Sequence, residues 1–327
     1  MTVTEPSSHD AEPSFRHRPV MVDEIVEVFA TVPPGLVVDA TVGGGGHSGA
    51  LLGAHASLRL LGIDRDVDAL SAAADALRPF ADRVSLRHGR FDQLAELVDG
   101  PVSGVLFDLG VSSPQLDRPE RGFSYRADAP LDMRMDRSQP RTAADVVNGE
   151  EEAALARMIA ASGETRFARR IAHHIVEQRP IRTTGELAEV VREAVPAPAR
   201  RRGGHPARPV FQAIRIAVND ELDILGPAID QAIALLAPGG RCAVLAYHSG
   251  EDRIVKRRFL AAATGGCVCP PGLPCACGAV PVVRLLTRGA RKPSADEVAR
   301  NPRSESARLR VCERLPEDAA EAHRGWE

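Results

Sequence analysis

No apolar run in these 327 residues approaches the length of a membrane span, and no secretory leader opens the chain. The expectation is therefore a cytoplasmic protein. Nothing points to an oxidising compartment either. Of the six cysteines, four are crowded into 267–277, while Cys242 and Cys312 stand alone in apolar surroundings and read as packing residues. That excludes a disulfide framework. No internal repeat is present, which excludes a solenoid. There is also no surplus of positive charge: 41 Lys and Arg stand against 44 Asp and Glu, a net charge of −3. The molecule as a whole does not advertise a polyanion partner.

The distribution of charge says more than the total. Between Pro196 and Ala217 lie Arg200, Arg201, Arg202, Arg208 and Arg215, with no acid among them. Arg253, Lys256, Arg257 and Arg258 form a second cluster, and Arg284, Arg288, Arg291 and Lys292 a third. Counterion release is local, so a nearly neutral protein with such patches can bind nucleic acid; a solvated arginine-rich surface is the competing explanation. Hydrophobic content of 44% and charged content of 26% are those of an ordinary globular protein. The length suits one large core or a core domain with a smaller one. Residues 1–14 read as a disordered tail and 315–327 as a polar one.

Short apolar runs at 35–40, 58–64, 84–88 and 102–108 read as strands. Helices are expected at 47–53 and 67–77. Apolar strands alternating with helices indicate a parallel sheet covered on both faces. Then the rhythm breaks. The fifth strand, 241–247, is preceded by a helix over 219–236 and a Pro238-Gly239-Gly240 turn. About 130 residues separate it from the fourth strand, where a crossover needs a few tens. Most of that stretch must be an insertion, helical at 152–161, 165–178 and 184–195. It is expected to hang on the sheet's edge and to roof a site at the carboxyl ends of the strands. A basic helix over 251–263 follows, and 282–287 with 307–313 form a final strand pair. The total is seven strands.

The first strand runs into D-A-T-V-G-G-G-G-H-S-G, where Gly44, Gly46 and Gly49 satisfy G-x-G-x-x-G. The pattern alone says that backbone turns tightly and approaches a ligand. Asp39, immediately before it, is a poor neighbour for a pyrophosphate and a good one for the sulfonium and ammonium of S-adenosylmethionine. Asp64 ends the second strand, where an acid can accept both ribose hydroxyls of either cofactor. With a seven-strand sheet ending in an antiparallel pair, these features favour S-adenosylmethionine over a nicotinamide and suggest the class I methyltransferase fold. A glycine turn without a cofactor stays open.

Residues 108–136 read D-L-G-V-S-S-P-Q-L-D-R-P-E-R-G-F-S-Y-R-A-D-A-P-L-D-M-R-M-D. This segment resembles the MraW/RsmH family of ribosomal RNA small-subunit (cytosine-N4)-methyltransferases. The resemblance recurs in order in H-R-P-V-M-V-D-E-I at 17–25, the glycine loop, V-F-Q-A-I-R-I-A-V-N-D-E-L at 210–222, Y-H-S-G-E-D-R-I-V-K at 247–256 and N-P-R-S-E-S-A-R-L-R at 301–310. It departs from the family at Tyr125 and Tyr247, where Phe is usual, at Gly250, where Leu is usual, and at Arg208, which stands one place early.

The resemblance implies an α/β protein: a class I, Rossmann-like methyltransferase with a seven-stranded, mostly parallel sheet, at 15–117 and 217–314, and an inserted, mainly helical substrate-binding subdomain at 118–216. It implies S-adenosylmethionine as methyl donor and, as substrate, the exocyclic N4 of a cytidine in the decoding region of 16S rRNA in the small ribosomal subunit. Carried over by motif, cofactor contacts fall on Gly45, Gly46, His47, Asp64, Phe91, Asp108 and Gln115, beside Asp39 from the loop chemistry. No membrane partner is expected, and the chain is read as a monomer or homodimer. An NAD(P)-binding oxidoreductase, a non-catalytic ribosome-assembly RNA-binding factor, and methylation of DNA or a small amine are the rival functions.

Methylating an exocyclic amine is an in-line displacement by a weak nucleophile, whose lone pair is delocalised into the ring. The site must align that nitrogen and hydrogen-bond its protons. Candidates are Asp108, Ser112, Ser113 and backbone carbonyls near Gly110. His248 could orient the base or relay a proton, or be a structural histidine bonded to Glu251 or Asp252. Arg134, Arg200, Arg201, Arg202, Arg208 and Lys256 are candidate phosphate contacts. Phe123, Tyr125 and Tyr247 are the aromatics available to an unstacked base. Cys267, Cys269, Cys275 and Cys277, in C-V-C-P-P-G-L-P-C-A-C, read first as a Pro/Gly-rich loop with no metal, and second as a zinc site.

Overall fold

The computed structural model describes residues 18–163, 166–200, 205–270 and 276–316. The two polar tails lie almost wholly outside that range, as do Arg201, Arg202 and Cys275.

Seven strands form one sheet: β1 (Gly35–Asp39), β2 (Leu58–Asp64), β3 (Val84–His88), β4 (Val102–Asp108), β5 (Leu236–Ala246), β6 (Val283–Leu285) and β7 (Arg308–Arg314). Their order is β3-β2-β1-β4-β5-β7-β6, with only the pairings of β7 antiparallel. This is the class I methyltransferase arrangement. Successive side chains of a strand point to opposite faces, and both faces here are covered. Val38, Val105, Phe107 and Val244 pack into one core; Val37, Leu106, Ala243 and Leu245 pack into the other. That is why β1, β4 and β5 read as mainly apolar runs, whereas β3, with Ser85, Arg87 and His88 exposed, does not.

Helices α1 (Val22–Phe29), α2 (Gly46–Ala54) and α3 (Val67–Ala76) complete the first half. The connection from β4 to β5 carries helices Ala143–Gly149, Glu152–Ala161, Ala168–Glu177, Thr184–Ala194 and Ala207–Asn219. These share a core of their own, from Phe123 to Val218, including Val146, Ile171, Leu187 and Ile214, all at most 1% exposed. Burying each such side chain contributes about 1.5–3 kcal/mol, so the insertion has its own source of stability.

Two expectations are corrected. The insertion does not hang on the sheet's edge. Strand order runs outward from β1 to β3 and then switches, so β4 lies between β1 and β5 in the middle of the sheet. The insertion therefore rises over the switch point itself. The Pro238-Gly239-Gly240 turn is not a separate element before β5. It bulges within that strand, between the Val102–Leu236 and Gly104–Arg241 pairings, with Gly239 at φ +77°. A positive φ costs glycine little, so the chain absorbs the extra residues without leaving the sheet.

Candidate active site

A cleft of about 1520 Å³ opens at the carboxyl ends of β1, β2, β4 and β5, under the insertion. It exceeds an ordinary small-molecule site of about 300–1,000 Å³ and has room for a second ligand beside a cofactor. Gly45, Gly46, His47, Asp64, Phe91, Asp108, Ser112, Gln115, Arg208 and His248 all line it. Asp39, Arg134, Arg200 and Lys256 do not.

The glycine loop shows why a diphosphate is a poor occupant. The Gly43 amide donates to Asp64 Oδ2 at 2.9 Å, and the Gly45 amide to the Val42 carbonyl at 2.8 Å. Two of the loop amides are thus already used, and a carboxylate stands beside them. Burial pushes the Asp64 carboxyl above its usual range. Its other oxygen accepts from the Asp66 amide at 2.9 Å. Each oxygen keeps a lone pair for a hydroxyl donor.

Gly45 caps α2 at φ +78°. A side chain on Gly46 would come within 2.5 Å of Pro19 Cγ. The N-terminal segment thus lies directly on the loop, and the Met21 amide holds it to Glu297 Oε1 at 2.6 Å. His47 is buried beneath, its Nε2 2.9 Å from the Val20 carbonyl and its Nδ1 3.4 Å from Asp108 Oδ2. A carbonyl can only accept, so Nε2 carries a proton; facing a carboxylate, Nδ1 gains by carrying one too. Burial pulls the imidazole pKa down, but Asp108, the Val20 carbonyl and Asp39 outweigh it and hold it above its usual value.

Asp39 is corrected from a cofactor contact to a support. It is 2% exposed and sits behind the loop, its Oδ2 taking the Ser48 hydroxyl at 2.6 Å. Burial pushes its carboxyl up to about 6.

Asp108 is the centre of the site. Its amide donates to Thr41 Oγ1 at 2.7 Å, fixing the end of β4. Its Oδ1 accepts from the Tyr247 hydroxyl at 2.7 Å. Burial and the Asp108 charge push that phenol well above its usual pKa, so Tyr247 stays protonated and donates to the carboxylate. Phe91 meets Phe107 edge to face at 6.0 Å, which leaves it both a core contact and a wall of the cleft. Gln115 is buried; its Oε1 takes the Ser112 amide and its Nε2 donates to Asp66 Oδ2.

Three buried polar atoms on the cleft residues lack a hydrogen-bond partner among the described residues: Arg65 Nε, Ser112 Oγ and His248 Nε2. Such atoms are costly unless a ligand or water satisfies them. His248 caps the helix Ser249–Thr264, its Nδ1 accepting from the Gly250 and Glu251 amides at 3.2 and 3.4 Å. Neutral His248 therefore carries its proton on Nε2. That atom lies 3.2 Å from Glu251 Oε1, too poorly aligned for a hydrogen bond. Only the backbone of Ser113 is described.

The arginines divide. Arg134 spends its guanidinium on Asp132 (2.8 and 2.9 Å) and on the Arg137 and Gln139 carbonyls, so it clamps a loop and has little left for a phosphate. Lys256 is exposed and Arg200 half-buried, both away from the cleft. Arg208 is exposed and lines the cleft, as does Tyr125, which stacks on His205 with centroids 4.5 Å apart.

Sequence reasoning took only Asp64 from Ile63-Asp64-Arg65-Asp66. The neighbours matter as much. Arg65, 7% exposed, donates to the Asn219 carbonyl at 2.8 Å and to Gln139 Oε1 at 3.0 Å. Asp66 pairs with the buried Arg121 at 2.9 Å. Both contacts join the end of β2 to the insertion. A run of three charges at a strand end was the available signal. Pro19, Val20 and Thr41 carried none.

A family model described as the MraW methylase family matches residues 14–315. A relative from Thermobifida fusca, named Ribosomal RNA small subunit methyltransferase H, is 52% identical over 320 residues, spanning 94% of this chain and 96% of its own length. Another of that name, from Symbiobacterium thermophilum, is 52% identical over 311 residues, spanning 92% of this chain and 98% of its own.

Proposed function

This chain belongs to the MraW methylase family, and from that premise we propose that it transfers a methyl group from S-adenosylmethionine to the exocyclic N4 of a cytidine in the decoding region of 16S rRNA. The observation that carries the chemical part is the grouping of Asp108, the unpaired Ser112 Oγ and the unpaired His248 Nε2 around one cleft. The relatives' printed name supports the polymer.

The residues present fit S-adenosylmethionine. Asp64 offers lone pairs to ribose hydroxyls, Phe91 an apolar wall to adenine, and Asp108 a carboxylate to an ammonium, while the loop disfavours a diphosphate. When bound, the cofactor supplies an electrophilic methyl on a sulfonium. The chain's own groups do the rest. Ser112 Oγ and the backbone carbonyls near Gly110 accept hydrogen bonds from the cytosine amine, which localises its lone pair, and the proton the nitrogen sheds once methylated passes to solvent water. With Nδ1 held by two amides, His248 acts as a donor from Nε2 and orients the base through an acceptor on its ring; it does not take the amine proton. Tyr247 and His47 fix the Asp108 carboxylate from both sides.

The helical insertion is the RNA-holding roof, with the Tyr125–His205 stack and Arg208 receiving an unstacked nucleotide. The test is transfer of radiolabelled methyl to assembled small subunits, naked rRNA and DNA, followed by nucleoside analysis. Label in N4-methylated cytidine supports the reading. Label confined to another nucleoside, or to DNA, overturns it.

A further inference from the structure

We propose that Cys267, Cys269 and Cys277 form a thiolate site for a divalent metal ion of the zinc class, closing the loop that follows the helix Ser249–Thr264. This reverses the order of preference drawn from spacing alone. The three Sγ atoms lie within 4.8 Å of one another, and those of Cys267 and Cys277 are 3.6 Å apart. Tetrahedral zinc with Zn–S bonds of about 2.3 Å sets its sulfurs about 3.8 Å apart. The Cys267–Cys277 separation matches that value, and a shift of about 1 Å or less would bring Cys269 onto the same ion.

Two further observations support it. The Ala276 amide donates to Cys269 Sγ at 3.3 Å. An N–H aimed at sulfur favours the thiolate and orients it, as outer hydrogen bonds do in metal sites. The base of the loop is also fixed independently of the cysteines. Gly265 ends the helix at φ +61°, where a side chain would meet Val280 backbone at 2.4 Å. The Val282 amide donates to the Ala262 carbonyl at 2.9 Å, and the Cys267 amide to Thr264 at 3.1 Å. The two arms of the loop therefore arrive side by side, and ordering three ligands costs little extra entropy.

Apolar packing is sparse among the described residues of the loop. Val268, between two of the cysteines, is 86% exposed. A metal supplies the cross-link that apolar packing does not. Binding sheds the thiol protons to solvent and leaves the fourth tetrahedral position for water or one more donor. None of the three cysteines lines the cleft, so the site is structural and does not rest on the methyl-transfer reading.

The test uses the full chain, reduced, loaded anaerobically with zinc or cobalt and freed of excess metal. One metal per chain is expected. The cobalt form should show thiolate-to-cobalt charge transfer in the near ultraviolet and tetrahedral bands in the visible. The triple variant C267S/C269S/C277S should lose both. A wild-type cobalt spectrum without thiolate absorption overturns the proposal, whether or not the variant folds. So does equal metal in the variant, or a Cys267–Cys277 disulfide in metal-free protein prepared under the same reducing conditions.

Discussion

The Tyr247 hydroxyl donates to Asp108 Oδ1 at 2.7 Å, across the seam between β5 and β4. It is one of two restraints on that carboxylate, the other being His47. Removing the restraint and removing the charge should therefore differ. Tyr247→Phe deletes one hydrogen bond to a charged group, worth about 1.5–3 kcal/mol to the fold, but leaves the carboxylate and its His47 restraint, so the melting temperature should drop while single-turnover methyl transfer falls by no more than about tenfold. Asp108→Asn removes the charge that both His47 and a cationic cofactor face. S-adenosylhomocysteine affinity and transfer should fall by about 10–100-fold, from the value of hydrogen bonds to charged groups. Equal losses in the two variants would show that the hydroxyl, rather than the carboxylate, dominates.

Asp39 links stability to pH. Its folded pKa, about 6, is raised above the ordinary value of 3.8 by burial. A raised carboxyl favours the fold below the unfolded value, and that contribution is lost as pH rises through about 6. Above that pH, the ionised group costs on the order of 3 kcal/mol. Asp39→Asn should melt higher than wild type at pH 8, with the gain shrinking toward pH 4. Melting curves at several pH values measure this, and a gain that grows on acidification would refute it. Because Asp39 does not line the cleft, the variant should keep methyl transfer.

Arg134 and Arg208 should fail in different ways. Arg134→Ala opens the loop clamped to Asp132 and should lower the melting temperature. Arg208→Ala should leave melting unchanged but weaken RNA binding and reduce the salt slope of log affinity by about one. Filter binding at several salt concentrations beside calorimetry separates them. A lower slope in the Arg134 variant with unaltered melting would return that residue to the RNA interface.

Gly46→Ala places a methyl 2.5 Å from Pro19 Cγ. Proline is stiff, so the N-terminal segment must shift, at about 1–3 kcal/mol. The expected outcome is weaker S-adenosylhomocysteine binding with little change in RNA affinity. Titration calorimetry and the filter assay read the two. Unaltered cofactor affinity would mean that the segment is not part of the seat.

The strand ends were legible because β1, β2 and β4 are largely buried on both faces and leave mainly apolar runs, broken only by Arg59 and Ser103, that end in Asp39, Asp64 and Asp108. The insertion was legible as a length anomaly. What could not be read was partnership across the chain. Arg134 looked like a free cation because Asp132, two residues away, could not be assigned to it from sequence. Asp39 looked like a ligand because its burial depends on Ser48 and His47 folding over it. Strand order is equally silent in a list of strands, so the insertion was placed at an edge rather than the centre. The Pro-Gly-Gly bulge was taken for a terminus because a glycine at positive φ reads alike in both settings.

Arg65 leaves the end of β2 and is bolted to the Asn219 carbonyl, while Asn219 itself holds the Met133 carbonyl and the Met135 amide at 2.8 and 2.9 Å. Asn219 is fully buried. This polar joint begins one residue from Asp64, so the floor and the roof of the cleft are tied together within the fold itself. On the proposed function, an RNA substrate would then meet a roof already tied to the floor of the cleft.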